Sequence, residues 1–178
     1  MFRGCTALES VDLTNWRLKN AKTLQCLFYE CPNLTYVGDW SEWGISNKAT
    51  DLGWLLYKCP KVTNVGDLSK WDVSNVTNFR SAFYADEGFV SLDLSGWNTE
   101  SVTDMNYMFY NCYNLESINI EGWNTENVTG VTSMFAGDNK LNQIKVGDQI
   151  TSIVLSALPK YVWCAESDNA CYIPSQIP

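Results

Sequence analysis

The sequence predicts an α/β solenoid, a parallel stack of like units that each supply one short strand and one short helical turn per 26–28 residues. Three observations predict it. Tryptophans recur at Trp16, Trp43, Trp71, Trp97 and Trp123, with steps of 27, 28, 26 and 26 residues. A second column runs Phe2, Phe28, Leu56, Phe83, Phe109 and Phe135, followed three residues later by Cys5, Cys31, Cys59, Asp86, Cys112 and Asp138. Two aliphatic columns complete the register: Leu8, Leu34, Val62, Phe89, Leu115, Leu141, and then Val11, Val37, Val65, Leu92, Ile118, Ile144.

The strand of each unit lies in the L-x-x-L-x-L segment, where Ile118 and Ile120 flank Asn119 with the two-residue alternation of a half-buried strand. The columns at Leu13, Trp40, Leu68, Leu94, Ile120 and Val146 close that segment. Val37-Gly38-Asp39-Trp40 and Val65-Gly66-Asp67-Leu68 carry one extra residue, and a glycine there predicts a bulge that absorbs it. The other half of the unit places Met105, Met108 and Phe109 at i, i+3 and i+4, the spacing of one face of a helical turn, with Thr103 or Ser101 placed to cap it. Neither element buries its apolar side alone, so the units are expected to stack over a shared core across residues 1–147, about six repeats in all. Met1-Phe2 falls on the Met-Phe position, which predicts an N-terminally truncated array that begins in mid-unit. After Val146 the tryptophan fails to recur, and residues 148–178, with Trp163-Cys164 and Cys171-Tyr172, read as a C-terminal cap built on a hairpin.

Composition narrows the function classes. Twelve Lys plus Arg against twenty Asp plus Glu give a net charge of -8, which repels phosphate backbones and anionic head groups, so nucleic acid is not an expected partner. No apolar run approaches the roughly 20 residues that span a bilayer; no membrane insertion is expected of these residues, and any signal or anchor is expected outside them. Histidine is absent, which removes the commonest general base and transition-metal ligand. Neither catalysis, nor a metal, nor a cofactor is expected. Isolated carboxylates near the strand face, Asp12, Asp39, Asp67 and Asp93, read as a solvated face rather than a calcium site, which needs six to eight converging oxygens.

The units Leu92-Asp-Leu-Ser-Gly-Trp97-Asn-Thr-Glu-Ser-Val-Thr-Asp-Met-Asn-Tyr-Met-Phe109 and Ile118-Asn-Ile-Glu-Gly-Trp123-Asn-Thr-Glu-Asn-Val-Thr resemble the BspA-type leucine-rich repeats of bacterial surface proteins, in the variant known from mycoplasma lipoproteins. The resemblance covers residues 1 to about 147. It implies extracellular or cell-surface display, adhesion and binding of host extracellular protein, with no universal ligand and no catalytic residues to carry over.

The leading expectation is therefore a non-catalytic binding module. Its candidate contact strip is the set of strand side chains between the inward columns: Ser10, Asp12, Tyr36, Asn64, Ser91, Asp93, Ser117, Asn119, Gln143 and Lys145. A carbohydrate-binding module for host or cell-wall glycans is the alternative, motivated by 13% aromatic residues, and a structural spacer is a third. Of eight tryptophans only Trp54 is unexplained by the repeat or the cap. Tyr29, Tyr57, Tyr84 and Tyr110 form a further column, flanked by Arg3 and Ala136, and are expected to stack as an aromatic stripe that either shields the core or contacts a ligand. The repeat cysteines read as small core hydrophobes. Cys164 and Cys171 fit no repeat position and are expected to form a disulfide in an oxidising location. Asn33-Leu34-Thr35, Asn75-Val76-Thr77 and Asn127-Val128-Thr129 match the glycosylation sequon, the last two as products of the repeat. The open first unit predicts self-association through its edge.

Overall fold

The computed structural model describes residues 1–157, 163–165 and 170–172. Its strands are β1 (Ser91–Asp93), β2 (Ser117–Ile120), β3 (Gln143–Val146), β4 (Trp163–Ala165) and β5 (Ala170–Tyr172), with one short helix, α1 (Ser152–Ala157), between β3 and β4. They form one sheet in chain order: β1 to β4 pair in parallel and β5 turns back antiparallel to β4. Ser91, Ser117 and Gln143 stand side by side, as do Leu92, Ile118 and Ile144. The 26-residue step of the sequence is thus the step from one strand to the next. Along β3 exposure alternates, with Ile144 and Val146 buried and Gln143 and Lys145 exposed.

Earlier units continue the same row with fewer main-chain pairs. Ser10 bridges Tyr36 in parallel, and the Val11 N–H donates to the Tyr36 carbonyl at 2.9 Å. Beyond that point the extra residues intervene: Gly38 and Gly66 take φ of 81° and 83°, a left-handed conformation that side chains resist. A Cβ on Gly38 would lie 2.7 Å from the main-chain nitrogens of Leu13 and Thr14, so the neighbouring unit fills the space as well. The displaced N–H groups find hydroxyls in place of carbonyls. Asp39 N–H donates to Thr14 Oγ1 at 3.0 Å and Asp67 N–H to Ser41 Oγ at 2.6 Å, which keeps the main chain hydrogen-bonded through the bulges.

A second row of contacts runs along the other half of the units, and here the structure corrects the expected helical turn. Parallel bridges link Thr23, Asp51, Asn78, Asp104 and Gly130. From there the N–H groups of Met105, Tyr107, Phe109 and Asn111 donate to the carbonyls of Gly130, Thr132, Met134 and Ala136 in the next unit, at 2.7 to 2.9 Å. Between them Met108, Tyr110 and Cys112 donate to the carbonyls three residues back, at 3.1 to 3.2 Å. Tyr107 and Asn111 have φ of 58° and 61°, the signature of the third position in a type II turn. The segment is a run of β-turns whose alternate N–H groups reach the neighbour, not an α-helical turn bonded within itself. Met105, Met108 and Phe109 are buried all the same, because consecutive turns also bring positions i, i+3 and i+4 to one side.

The core lies between the two rows. Trp16, Trp43, Trp71, Trp97 and Trp123 stack unit on unit with centroids 5.8, 5.9, 6.4 and 6.4 Å apart. Each indole N–H from Trp43 onward reaches back to a carbonyl of the preceding unit: Leu13, Trp40, Leu68 and Leu94, at 2.7 to 3.2 Å. Phe2 stacks on Phe28, and Phe83 on Phe109 and Phe109 on Phe135. Cys31, Cys59 and Cys112 donate their thiols to the carbonyls of Phe2, Phe28 and Phe83. Units are therefore joined by polar bonds inside the apolar core as well as along its edges. In the first unit Phe2, Cys5, Leu8, Val11 and Trp16 are only partly buried where Phe28, Cys31, Leu34, Val37 and Trp43 are fully so.

Candidate binding surface

The strand row presents its alternate side chains to solvent because a strand sends successive residues to opposite faces. Ser10, Asp12, Tyr36, Asn64, Ser91, Asp93, Gln143 and Lys145 are exposed, and Ser117 and Asn119 are half-buried. Two columns, Ser91–Ser117–Gln143 and Asp93–Asn119–Lys145, follow from the register of β1 to β3. They line a shallow groove of about 260 Å³. Lys145 pairs with Glu121. A second groove of about 230 Å³ opens at the bulges between Thr35, Tyr36, Gly38, Asp39, Thr63, Asn64 and Gly66. Tyr36, half exposed at 50%, is the large aromatic residue on that side.

The carboxylates bordering this face serve the main chain. Asp39, Asp67 and Asp93 each accept from the N–H and the hydroxyl of the serine two residues on, at 2.6 to 3.0 Å, and Asp12 accepts from the Thr14 N–H at 3.0 Å. These are Asx turns that end the strand segment. Hydrogen bonds from Thr14, Ser41 and Ser69 hold Asp12, Asp39 and Asp67 below the usual carboxylate range. Such fixed, singly placed carboxylates recur one per unit from Asp12 to Asp93. Among the described residues no group of three or more His, Cys, Asp or Glu side chains converges as a metal would need.

The tyrosine column forms the second candidate. Tyr29, Tyr57, Tyr84 and Tyr110 stack face to face with centroids 4.6, 4.6 and 4.9 Å apart. All four are half-buried. Arg3 lies over Tyr29 at 4.8 Å and Lys58 over Tyr57 at 5.2 Å, while Lys58 also pairs with Glu30 at 3.6 Å. Burial raises the hydroxyls of Tyr29 and Tyr84, so both stay protonated at neutral pH. This column follows the row of turns and the polar strip follows the row of strands, so the two candidates form separate surfaces.

Several residues took roles that sequence reasoning missed. Trp54 sits at a left-handed turn position with φ of 53°, in one column with Cys26, Ser81, Tyr107 and Ser133 at φ of 51° to 58°. The shared position in the repeat was the available signal, but none of these residues is glycine. Asp86 and Asp138, which interrupt the cysteine column, are 0% and 2% exposed. One oxygen of each accepts from the main-chain N–H of the preceding cysteine, Cys59 at 2.9 Å and Cys112 at 2.8 Å, and the other oxygen is buried without a partner. Burial drives Asp86 well above its ordinary value and Asp138 up to about 8. Burial thus favours the protonated form of both, which stand where a thiol stands elsewhere. The sequon asparagines are also engaged: Asn33, Asn75 and Asn127 donate their side-chain amides to carbonyls of the preceding unit at 2.7 to 2.9 Å. The main chain pairs Cys164 with Cys171 across β4 and β5, and the expected disulfide itself lies outside the described side chains.

A run of units hydrogen-bonded to one another at a fixed 26- to 28-residue step, with one polar face and one buried column set, defines the chain as a repeat protein. It belongs to the family described as "Mycoplasma protein of unknown function, DUF285", whose model matches residues 1–64 and 50–155. Neither a curated protein nor a solved structure matches it. No helix among the described residues is long and apolar enough to cross a membrane.

Proposed function

We propose that the chain is a leucine-rich-repeat solenoid of the BspA type, displayed extracellularly or on the cell surface, that binds a protein ligand through its strand face and catalyses nothing. The observation that carries this reading is the strand row itself. All ten of its outward residues reach solvent, while their inward neighbours from Val37 to Val146 are buried, leaving a regular polar surface. Host extracellular protein is the partner class the family resemblance favours. The absence of histidine supports the non-catalytic reading, and the net charge of -8 disfavours nucleic acid.

The glycan alternative narrows to one place. The stacked tryptophans are enclosed from Trp43 to Trp123, and the tyrosine rings cover one another; Tyr36 beside Asp39 and Asn64 is the exposed ring with polar neighbours suited to a sugar. Surface plasmon resonance against a panel of extracellular matrix proteins, run beside a glycan array, separates the readings with Tyr36→Ala and Asn119→Lys. Protein binding lost in both variants, with unchanged melting, supports the strand-face reading. Glycan binding lost in Tyr36→Ala alone supports the alternative. Binding to neither class overturns both and favours a spacer.

A further inference from the structure

The tyrosine column has two unlike ends. Read in order it is Arg3, Tyr29, Tyr57, Tyr84, Tyr110, Ala136. At one end the Arg3 guanidinium lies 4.8 Å over the Tyr29 ring; along the middle each ring covers the next at 4.6 to 4.9 Å. At the other end the unit after Tyr110 supplies the methyl of Ala136, which is itself exposed. The interior rings have no free face, so the column offers edges and hydroxyls along its length. Among the described residues Tyr110 is stacked by a ring on one face, with Tyr107 perpendicular to it at 5.9 Å.

We propose that the outer face of Tyr110 is the seat for a cation, an arginine or lysine side chain of a basic protein partner, closing the column as Arg3 closes its other end. This deepens the binding reading above by naming a partner chemistry, on a surface separate from the strand face. Three features of the molecule argue for a cation rather than an apolar group. A ring face carries negative potential that attracts ammonium and guanidinium groups. The protein already sets two of its own guanidinium groups over rings of this region: Arg3 over Tyr29 and Arg80 over Tyr107 at 5.4 Å. Its net charge of -8 draws basic partners toward it before any contact forms.

The test is fluorescence anisotropy with a labelled hexa-arginine peptide titrated into the 178-residue chain, alongside Tyr110→Leu, Ala136→Leu and Tyr36→Ala, with a hexa-citrulline peptide as the neutral control. Ala136→Leu covers the ring face without changing charge. The expected result is a Kd about two- to five-fold higher in Tyr110→Leu and Ala136→Leu than in the unaltered chain, no change in Tyr36→Ala, and no comparable binding of the citrulline peptide. If Tyr110→Leu fails to fold, Ala136→Leu decides alone. Equal affinity for the unaltered chain and Ala136→Leu overturns the proposal, since the attraction then belongs to net charge and not to the ring. A loss in Tyr36→Ala equal to that in Ala136→Leu overturns it as well. The strand-face reading is judged on other ligands, extracellular matrix proteins and glycans, so the two fail separately.

Discussion

Asp138 is a carboxyl group folded into a thiol's place, and its energetics run opposite to those of a surface carboxylate. Its ordinary value of 3.8 rises to about 8 on folding because burial disfavours the charge, an effect the Cys112 N–H only partly offsets. Between those values the unfolded chain gives up the proton while the folded chain keeps it, so stability falls as pH rises. The contribution is complete below about pH 4 and is lost as pH climbs through 8. Thermal melts from pH 4 to pH 9 should therefore show a falling midpoint, and Asp138→Cys, which restores the thiol of the column, should flatten that slope; a slope unchanged in the variant would assign the pH dependence elsewhere. A second residue-scale expectation concerns Trp97. Trp97→Phe keeps a stacked ring but removes the indole N–H that donates to the Leu68 carbonyl at 2.7 Å, leaving that carbonyl with the Trp71 N–H at 3.1 Å alone, a loss of about 0.5–1.5 kcal/mol. Chemical denaturation gives the value directly, and a cost under a few tenths of a kcal/mol would mean that another donor replaces the indole.

At the level of the elements, the sequence read the strand half of each unit more truly than the turn half. Alternation along Leu92–Leu94, Ile118–Ile120 and Ile144–Val146 has one common explanation, a strand with one face buried, and those six side chains are buried. The spacing of Met105, Met108 and Phe109 has two. A helix and a run of β-turns both place those residues on one side; what separates them is whether the N–H groups of Tyr107, Phe109 and Asn111 bond within the unit or to the next one. That is a property of the neighbour, so no local pattern contains it. The insertion glycines were legible because an extra residue in a strand segment needs an unusual conformation. Gly38→Ala should cost about 1–3 kcal/mol, since φ of 81° and a main-chain approach of 2.7 Å to Leu13 leave no room for a Cβ. Gly44, also at positive φ but with open space around it, provides the comparison: Gly44→Ala carries the conformational cost without the clash, and equal losses at the two sites would show that packing against Leu13 contributes nothing.

For the molecule as a whole, stability is shared between neighbours because each unit's indole, thiol and amide donors bond to the unit before it. In the first unit Phe2, Leu8, Val11 and Trp16 remain partly exposed and form an apolar face. Self-association of the 178-residue chain through this face is the expected consequence, measured as a weight-average mass that rises with concentration in sedimentation equilibrium; a strictly monomeric mass at the highest attainable concentration would remove it. The repeat period, the buried columns and the outward strip were determined by the sequence alone, because a pattern repeated six times at one step has a single way of burying its apolar members together. The tertiary structure decided the rest: the β-turn form of the second row, the burial of Asp86 and Asp138, and the stacking of Tyr29, Tyr57, Tyr84 and Tyr110 on one another. Each of these depends on which group stands one unit away, and that adjacency exists only once the units are stacked.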